Sequence, residues 1–213
     1  MIENNKIIDF GNYEELLTKT NQATKKFDLK GMTLLPGFIE SHAHAAFFAQ
    51  TLQFVDLATP ELGGKVENIV DIKEAFKEEL ANNPKKYDEN NWLIGYRYDY
   101  NNFPNNERLT KLDIDEISTE IPIFVNHMST HAGVASSKML TILGISEDTI
   151  DPNDPSFEWI PGTKEPNGIL KEDAYMRFSK IIDESKVSNN QENWVDLWKP
   201  AVSMYAAQGY TSN

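Results

Sequence analysis

A short apolar run ends abruptly in a pair of histidines, and this junction most limits what the chain can fold into. Apolar residues over 36–39, Pro-Gly-Phe-Ile, lead directly into the polar segment Glu-Ser-His-Ala-His over 40–44. That change is typical of a buried strand whose C-terminal end opens into a site. Side chains two positions apart on a strand point to the same face, so His42 and His44 should project together.

Two neighbouring imidazoles can bind one metal ion, but they do not complete a catalytic site. Imidazole suits zinc, iron, nickel and similar ions, and a catalytic zinc usually has three protein ligands. The chain has four histidines and no cysteine, which leaves histidine and carboxylate as the protein ligands for a metal. A His-X-His triplet is also a frequent chance occurrence, so the triplet alone leaves both interpretations open.

The rest of the chain alternates strands with helices, which indicates an α/β fold. Apolar periodicity and flanking turn residues predict strands at 5–11, 92–96 and 122–126, two more around a Lys-Gly turn in 27–35, and the beginning of one at 210–213. They predict helices at 13–20, 67–83, 136–143, 171–184 and 193–208. A long loop is predicted at 99–108 and a loop or hairpin at 151–168. Ile182 and Trp194 belong to the apolar faces of the last two helices, and Pro200 predicts a bend or break. Arg97 and Asp99 are interpreted as a solvated loop pair.

Charge and hydropathy exclude several classes of protein. With 33 acidic and 20 basic residues, the formal net charge of −13 disfavours a nucleic-acid partner, and no basic patch offsets it. No apolar stretch is long enough to span a bilayer, and the N-terminus lacks the pattern of a signal peptide, so neither a membrane partner nor secretion is expected. A cytoplasmic protein is the resulting expectation.

Several segments together resemble one enzyme superfamily. The segment 34–44 resembles the first-strand signature of the amidohydrolase superfamily, although Glu40 stands where Asp is usual. The segments 92–99, 126–133 and 166–172 are similar to amidohydrolase family 3, the branch of YtcJ-like metal-dependent hydrolases. The resemblance runs nearly from end to end.

This resemblance implies a hydrolase that breaks carbon–nitrogen bonds other than peptide bonds, in a small amide-type substrate, through a metal-activated water. The cofactor would be a divalent metal, most commonly zinc, as one or two ions. His42 and His44 match the metal ligands of the first strand, and Glu172 matches a carboxylate ligand. Lys171 invites comparison with the carboxylated lysine of other amidohydrolases, but the Gly-X-Leu-X-Glu pattern favours Glu172. Glu172 could instead be an acidic residue in the first turn of a helix.

His131 also matches a histidine of the family. It is predicted to contact substrate, and a structural, hydrogen-bonded role is the alternative. His127 is not predicted to have a role. Ser136-Ser137 stands where the family tends to have Asn-Ser, which weakens the case for a polar contact there.

The resemblance also implies an architecture, a partial (β/α)8 barrel with part of a small β-sandwich and an α/β insertion. Four segments are predicted: a β-sandwich segment at 1–35, the first barrel strand and its loop at 36–58, the insertion at 59–165, and a truncated barrel segment at 166–213. A complete (β/α)8 barrel takes about 250 residues. The chain is therefore expected to be an N-terminal fragment, with further ligands and a catalytic aspartate beyond Asn213, and to be inactive alone.

A second function remains possible at this stage. The chain could be a non-catalytic α/β module derived from the same fold, used for binding or self-association. An incomplete barrel exposes strand edges and apolar helix faces, which favours a homo-oligomer.

Overall fold

A computed structural model describes residues 1–88, 91–184 and 194–212, and it divides into two compact units, Met1–Phe38 and Ile39–Asn213. In the first unit, β1 (Ile2–Glu3) pairs antiparallel with β2 (Lys6–Ile7), and the short helix α1 (Tyr13–Leu17) follows. This unit has no fully buried residue in the described part of the chain.

The remaining elements alternate between strands and helices, as predicted. In chain order they are β3 (Phe38–Ile39), α2 (Ala45–Thr51), β4 (Val55–Asp56), α3 (Ile69–Asn82), β5 (Leu93–Tyr98), α4 (Lys111–Asp115), β6 (Ile123–His127), β7 (Ala132–Ala135), α5 (Ser137–Ile142), β8 (Phe157–Trp159), β9 (Pro166–Lys171), α6 (Glu172–Glu184), α7 (Trp194–Ala207) and β10 (Tyr210–Ser212). Short 3-10 helices at Pro60–Leu62, Tyr100–Asn102 and Pro104–Asn106 lie in the connections.

Six of these strands form one mixed sheet in the order β4-β5-β6-β7-β9-β8. Strands β4, β5 and β6 run parallel, whereas β7 is antiparallel to both β6 and β9, and β8 is antiparallel to β9. The C-terminal ends of β5 and β6 therefore meet at one edge, where Tyr98 is in register with His127. Antiparallel β7 begins at that same edge, and β9 ends there.

Helices cover both faces of the sheet because its strands alternate their apolar side chains. Ile123 and Val125 belong to a core with α3, whereas Phe124 belongs to a second core with α5 and α6. Ile69, Ile72 and Phe76 supply the buried stripe of α3 at helical spacing. Burial on both faces explains why these strands are nearly continuous apolar runs.

Capping residues explain where two of the helices begin. The Asn68 side chain accepts hydrogen bonds from the backbone N–H groups of Val70 and Asp71, at 2.8 and 3.2 Å. The Ser136 hydroxyl accepts one from Met139 N–H at 3.2 Å. Both caps satisfy N–H groups that have no partner within the helix, and both agree with the predicted helix starts.

Two local predictions are wrong, and one of two alternatives at Pro200 is excluded. Residues 27–35 form the predicted turn, with φ of 50° at Lys30 and 85° at Gly31, but no strands flank it. Phe27 and Leu34 are 82% and 62% exposed, so they have no core to pair against. α7 continues through Pro200, so the predicted break is absent and the alternative of a bend stays a prediction. Arg97 forms an ion pair with Asp56 across β4 and β5, not with Asp99.

The mixed α/β class is confirmed, and the 151–168 segment supplies β8 and the start of β9 as a hairpin. The barrel, the β-sandwich and the four-segment division stay predictions. The division between the two units falls after Phe38, close to the predicted boundary at 35. The sheet, however, extends across the predicted boundaries at 58 and 165, because β4 and β9 both pair with strands of the predicted insertion.

Ile182 and Trp194 lie outside the residues whose side chains are described. Within the described chain, no helix combines the length and the apolarity needed to cross a membrane.

Candidate functional site

The paired histidines lie just beyond β3, where the chain turns into α2. Their ring centroids are 5.4 Å apart and the rings are nearly perpendicular, at 81°. Both side chains are exposed. Strand alternation does not bring them together, since β3 ends at Ile39. The turn does so instead: Glu40 Oε1 accepts the His42 N–H at 3.0 Å, and the His44 carbonyl accepts the Phe48 N–H, which begins α2.

A backbone hydrogen bond also holds this turn to the end of the chain. The Glu40 N–H donates to the Ser212 carbonyl at 2.9 Å, so the residues preceding His42 are tied to β10. Within the described residues, neither imidazole has a hydrogen-bond partner for its ring nitrogens. The two rings are therefore free to bind a ligand.

His131 and Glu172 form a second pair, on the six-stranded sheet. Ala132 of β7 is in register with Lys171 of β9. The adjoining residues, His131 before β7 and Glu172 after β9, therefore lie side by side. The Glu172 N–H donates to the His131 carbonyl at 2.9 Å, and His131 Nδ1 lies 3.1 Å from Glu172 Oε2. Both side chains are well exposed, at 67% and 70%.

Glu172 has an unusual backbone conformation. Its φ is 42°, in the left-handed region, at the junction where β9 becomes α6. This conformation costs about 1–2 kcal/mol for a residue other than glycine. Strained residues of this kind cluster at functional sites, so the observation supports a functional role for this carboxylate.

A cavity of about 460 Å³ opens beside this pair. It lies at the sheet edge where β6 and β9 end and β7 begins. The residues that matter for its chemistry are Tyr100, Arg108, His127, His131, Lys171 and Glu172. The structure thus places the predicted residues His131 and Glu172 in one cavity, together with neighbours that were not predicted.

His127 is a largely enclosed titratable group of this cavity, with its side chain only 14% exposed. Its Nδ1 accepts the Ser129 N–H at 3.1 Å, so the proton of the neutral ring is on Nε2. Asp99 Oδ1 lies 3.5 Å from Nε2, which is long for a hydrogen bond. Burial lowers the pKa of His127, and the Asp99 carboxylate opposes only part of that effect. The ring is therefore neutral near neutral pH.

Arg108 and Lys171 share one carboxylate in the cavity wall. Glu158 lies 3.0 Å from Arg108 Nη1 and 3.1 Å from Lys171 Nζ. Burial alone would raise the pKa of Glu158, but hydrogen bonds from Lys171 and Arg108 outweigh it and hold that pKa below its usual value. The Glu158 carboxylate is therefore ionised at neutral pH. The Arg108 guanidinium also lies 5.0 Å from the Tyr100 ring centroid, a cation–π distance.

Local structure explains why Arg108 faces the cavity. The Tyr98 hydroxyl accepts the Leu109 N–H at 2.8 Å, which ties the loop containing Arg108 to β5. A capping box between Thr110 and Asp113 then begins α4 directly after the loop. Burial raises the pKa of Tyr98 to about 12, so this hydroxyl stays protonated at physiological pH.

The predicted metal ligands are not gathered into one cluster. Among the described residues there is no group of three or more histidines, aspartates or glutamates that could hold a metal ion. His42 and His44 fit a metal in donor chemistry and proximity, whereas Glu172 is paired with His131. The three-residue ligand set, and the substrate contact of His131, stay predictions.

Sequence reasoning missed Arg108, His127 and Glu158. Position could have identified His127, because Asp99 and His127 lie at the C-terminal ends of adjacent parallel strands, where α/β proteins bind ligands. Arg108 and Glu158 are separated by 50 residues along the chain, and no local pattern joins them.

Comparison with a solved structure defines the class of fold. An uncharacterized metal-dependent hydrolase from Pyrococcus furiosus superposes on 83% of this chain with a TM-score of 0.50 and 22% sequence identity. The match covers 31% of that hydrolase. At this identity, the similarity concerns the fold alone.

The sequence narrows the class to one family. Residues 25–213 match the family model described as the amidohydrolase family, and the chain belongs to that family. The predicted family is therefore confirmed.

Curated relatives are consistent with this membership. The chain is 28% identical over 215 residues to the exoenzymes regulatory protein AepA of Pectobacterium carotovorum, covering 100% of the chain and 44% of the relative. It is 30% identical over 182 residues to the putative amidohydrolase YtcJ of Bacillus subtilis, covering 85% and 32%. The N-substituted formamide deformylase of Arthrobacter pascens is 27% identical over 184 residues, with coverage of 86% and 32%. The chain thus spans less than half the length of these relatives.

Proposed function

We propose that the chain is part of a metal-dependent amidohydrolase that hydrolyses a carbon–nitrogen bond in a small molecule. The family membership of residues 25–213 supports the reaction class. One relative is named as a deformylase of N-substituted formamides, and removal of a formyl group from such an amide breaks a carbon–nitrogen bond. The whole protein would have the (β/α)8 barrel and small β-sandwich that the family resemblance implies.

The observation that carries the proposal is the imidazole pair. His42 and His44 lie 5.4 Å apart, are exposed, and have no other partner among the described residues. We propose zinc as the metal, with these residues as two of its ligands. A bound divalent ion lowers the pKa of its water and polarises the carbonyl of the substrate.

The remaining residues would position and polarise the reacting groups. We propose Glu172 as a further ligand, on the basis of its strained backbone and the matching family motif. His131 holds its carboxylate from one side at 3.1 Å, and the backbone hydrogen bond between the two residues limits their relative movement. Neutral His127 supplies a hydrogen-bond donor, Nε2–H, at the enclosed end of the cavity.

Zinc titration by calorimetry tests the ligand assignment. We expect saturable binding by the chain, and about tenfold or more weaker binding after His42→Ala or His44→Ala. Ser41→Ala, a neighbouring substitution that removes no imidazole, should change the Kd by about twofold or less. Glu172→Gln should also weaken zinc binding, and unchanged binding in this variant would contradict the assignment of Glu172 as a ligand. Equal binding by the wild type and both histidine variants would contradict the imidazole assignment.

We also propose that the chain alone does not turn over substrate, since the described residues do not bring three metal ligands together, as a catalytic zinc site requires. The test is incubation of the zinc-loaded chain with N-acyl amino acids, ureas and cyclic amides. No release of amine above a zinc-only blank is expected. Turnover that disappears in His42→Ala would contradict the inactivity of the chain while supporting the reaction class.

The alternative of a non-catalytic module receives no support from the comparisons. Self-association is compatible with either function and stays a prediction.

A further inference from the structure

A serine, a histidine and an aspartate stand in contact order at the sheet-edge cavity. Ser129 Oγ lies 2.9 Å from His127 Nδ1, and His127 Nε2 lies 3.5 Å from Asp99 Oδ1. Ser129 and His127 line the cavity of about 460 Å³, and Asp99 directly follows β5. Hydroxyl, imidazole and carboxylate follow one another in the same order in serine hydrolases, although here the two ring nitrogens are exchanged.

The hydrogen bonds of the turn between β6 and β7 fix which group holds each proton. The Ser129 backbone N–H can only donate, and it lies 3.1 Å from His127 Nδ1, so this nitrogen has the free lone pair. The Ser129 hydroxyl must then be the donor in its own contact with Nδ1. Its oxygen accepts the His131 backbone N–H at 3.2 Å, which agrees with that direction. A hydroxyl that donates to an unprotonated imidazole nitrogen is the arrangement that general-base activation requires.

The surroundings of His127 suit it to accept and return a proton. Burial lowers the pKa of His127, and the Arg108 guanidinium acts in the same direction, so the ring is neutral near neutral pH. The Asp99 carboxylate opposes this effect and would stabilise the imidazolium that forms during a reaction. Nε2 is buried and has no hydrogen-bond partner among the described residues. Catalytic hydrogen bonds are often long without substrate and shorten when it binds, and the 3.5 Å contact fits that pattern.

The hydroxyl is accessible, whereas the imidazole is enclosed. Ser129 is exposed, and the His127 side chain is only 14% exposed. The next residue, Thr130, has a φ of 58°, in the left-handed region that a β-branched residue seldom adopts. Strained backbone of this kind clusters at active sites. The candidate nucleophile is therefore open to solvent, and its candidate base is shielded.

Charge and hydrogen bonding at the cavity limit the substrate. The cavity and the groups paired with its wall have two negative charges in excess, because two basic side chains meet four acidic ones: Arg108 and Lys171 against Asp99, Glu158, Glu172 and Asp173. An anionic substrate is therefore disfavoured. The backbone N–H groups of residues 128–131 all donate within the protein, so the turn offers no oxyanion hole. Without that stabilisation, the substrate needs a good leaving group.

We propose that Ser129 is a nucleophile activated by His127, and that the chain hydrolyses neutral, activated esters of small acids through an acyl-serine. Ser129 Oγ attacks the ester carbonyl carbon while His127 Nδ1 takes the hydroxyl proton. The leaving alcohol takes that proton as its carbon–oxygen bond breaks, and acyl-Ser129 remains. Water then attacks the acyl carbon and gives a proton to Nδ1, which returns it to Ser129 Oγ as the acid leaves. Asp99 acts as a positioning residue for the ring. This activity needs no metal and is independent of the function proposed above.

The test uses the whole chain in EDTA with p-nitrophenyl acetate. Absorbance follows the release of nitrophenolate, and mass spectrometry of acid-quenched peptides gives the rate of acetylation at each residue. The variants are Ser129→Ala, His127→Asn and Asp99→Asn. Ser203→Ala is the matched control, because it removes an exposed hydroxyl on α7 that bonds the Lys199 carbonyl. Mono-p-nitrophenyl succinate, which has the same leaving group on an anionic acyl chain, tests the preference for a neutral ester.

We expect acetylation of Ser129 in the wild type, about tenfold or more slower in His127→Asn and about threefold or more slower in Asp99→Asn. Nitrophenolate release should fall in Ser129→Ala and stay at the wild-type rate in Ser203→Ala. The succinate ester should acylate Ser129 about threefold or more slowly than the acetate, because the cavity repels its charge. Thermal melting checks that each variant is folded.

Acetyl groups on lysine or on other histidines but not on Ser129 would overturn the proposal. So would an unchanged rate of Ser129 acetylation in His127→Asn, or a reaction that EDTA abolishes. An unchanged rate in Asp99→Asn would contradict the role of that carboxylate, and equal rates with the two esters would contradict the preference for a neutral substrate. None of these outcomes alters the zinc titration, which tests the proposed function separately.

Discussion

At the scale of single residues, His127 shows how the fold changes the chemistry of a side chain. The ring accepts the Ser129 N–H, faces the Asp99 carboxylate at 3.5 Å, and is largely buried. Its burial lowers its pKa. The pKa of such a histidine is lower in the folded state than in the unfolded state. Its contribution to stability is therefore complete above the unfolded-state pKa. That contribution is lost as the pH falls from the unfolded-state pKa through the folded-state pKa, because the unfolded chain binds the proton more readily.

This histidine therefore gives a prediction about pH. The free energy of unfolding, measured by denaturant titration, should fall between about pH 7.5 and about pH 5.5 more steeply in the wild type than in His127→Asn. The asparagine can still accept the Ser129 N–H but does not titrate. Carboxylates lose their contributions at lower pH in both proteins, so the difference isolates His127. Identical pH dependence in the two proteins would show that burial does not shift this group.

Glu172 gives a second prediction at this scale, because its φ of 42° suits glycine. Glu172→Gly should leave the free energy of unfolding unchanged or raise it by about 1 kcal/mol, since relief of backbone strain offsets the lost side chain. Asp173→Gly, one residue further into α6, should lower it by about 0.5–1 kcal/mol. Equal destabilisation by the two changes, measured by denaturant titration, would mean that position 172 is not strained.

Residue type and family resemblance were enough to propose His42, His44, His131 and Glu172 as candidate site residues from the sequence, because those features are local. They could not identify the wall formed by Arg108, His127 and Glu158. That wall depends on β-sheet register and on a loop held by a buried tyrosine, and both arise only when distant segments pack together.

At the scale of elements, the sequence was most informative where apolar spacing was long and capped. α3, α5 and α6 begin and end within a few residues of their predicted bounds, and the side chains of Asn68 and Ser136 cap α3 and α5. Short strands were less predictable. The segment 27–35 contains strand-forming residues without a core to bury them, whereas α7 accommodates Pro200 because tertiary packing can outweigh helix propensity.

Gly133 in β7 tests how closely the elements of the site must pack. A Cβ at this position would lie 2.3 Å from the Phe124 ring and 2.8 Å from the Val125 carbonyl oxygen. We expect Gly133→Ala to lower the free energy of unfolding by about 1–3 kcal/mol, because the neighbours must shift. Gly11→Ala, which would meet only the flexible Glu15 carboxylate at 3.3 Å, is the control. Equal stability of Gly133→Ala and the wild type in denaturant titration would contradict the close packing of β6 and β7.

At the scale of the whole molecule, the chain has a six-stranded mixed sheet and, in the turn between β3 and α2, an exposed pair of imidazoles. The sheet supplies a cavity lined by both basic and acidic side chains, and the turn carries the two imidazoles that are proposed as metal ligands. The curated relatives described above extend well beyond the part that this chain matches, which is 44% or less of their length. The central claim is therefore that the chain contributes ligands to a metal site.

Zinc K-edge X-ray absorption of the zinc-loaded chain tests this claim most directly, because imidazole ligands give a characteristic multiple-scattering pattern. We expect two imidazoles bound to zinc in the wild type and in Ser41→Ala, and one in either His42→Ala or His44→Ala. A spectrum without imidazole, or one that is unchanged by both histidine substitutions, would contradict the account.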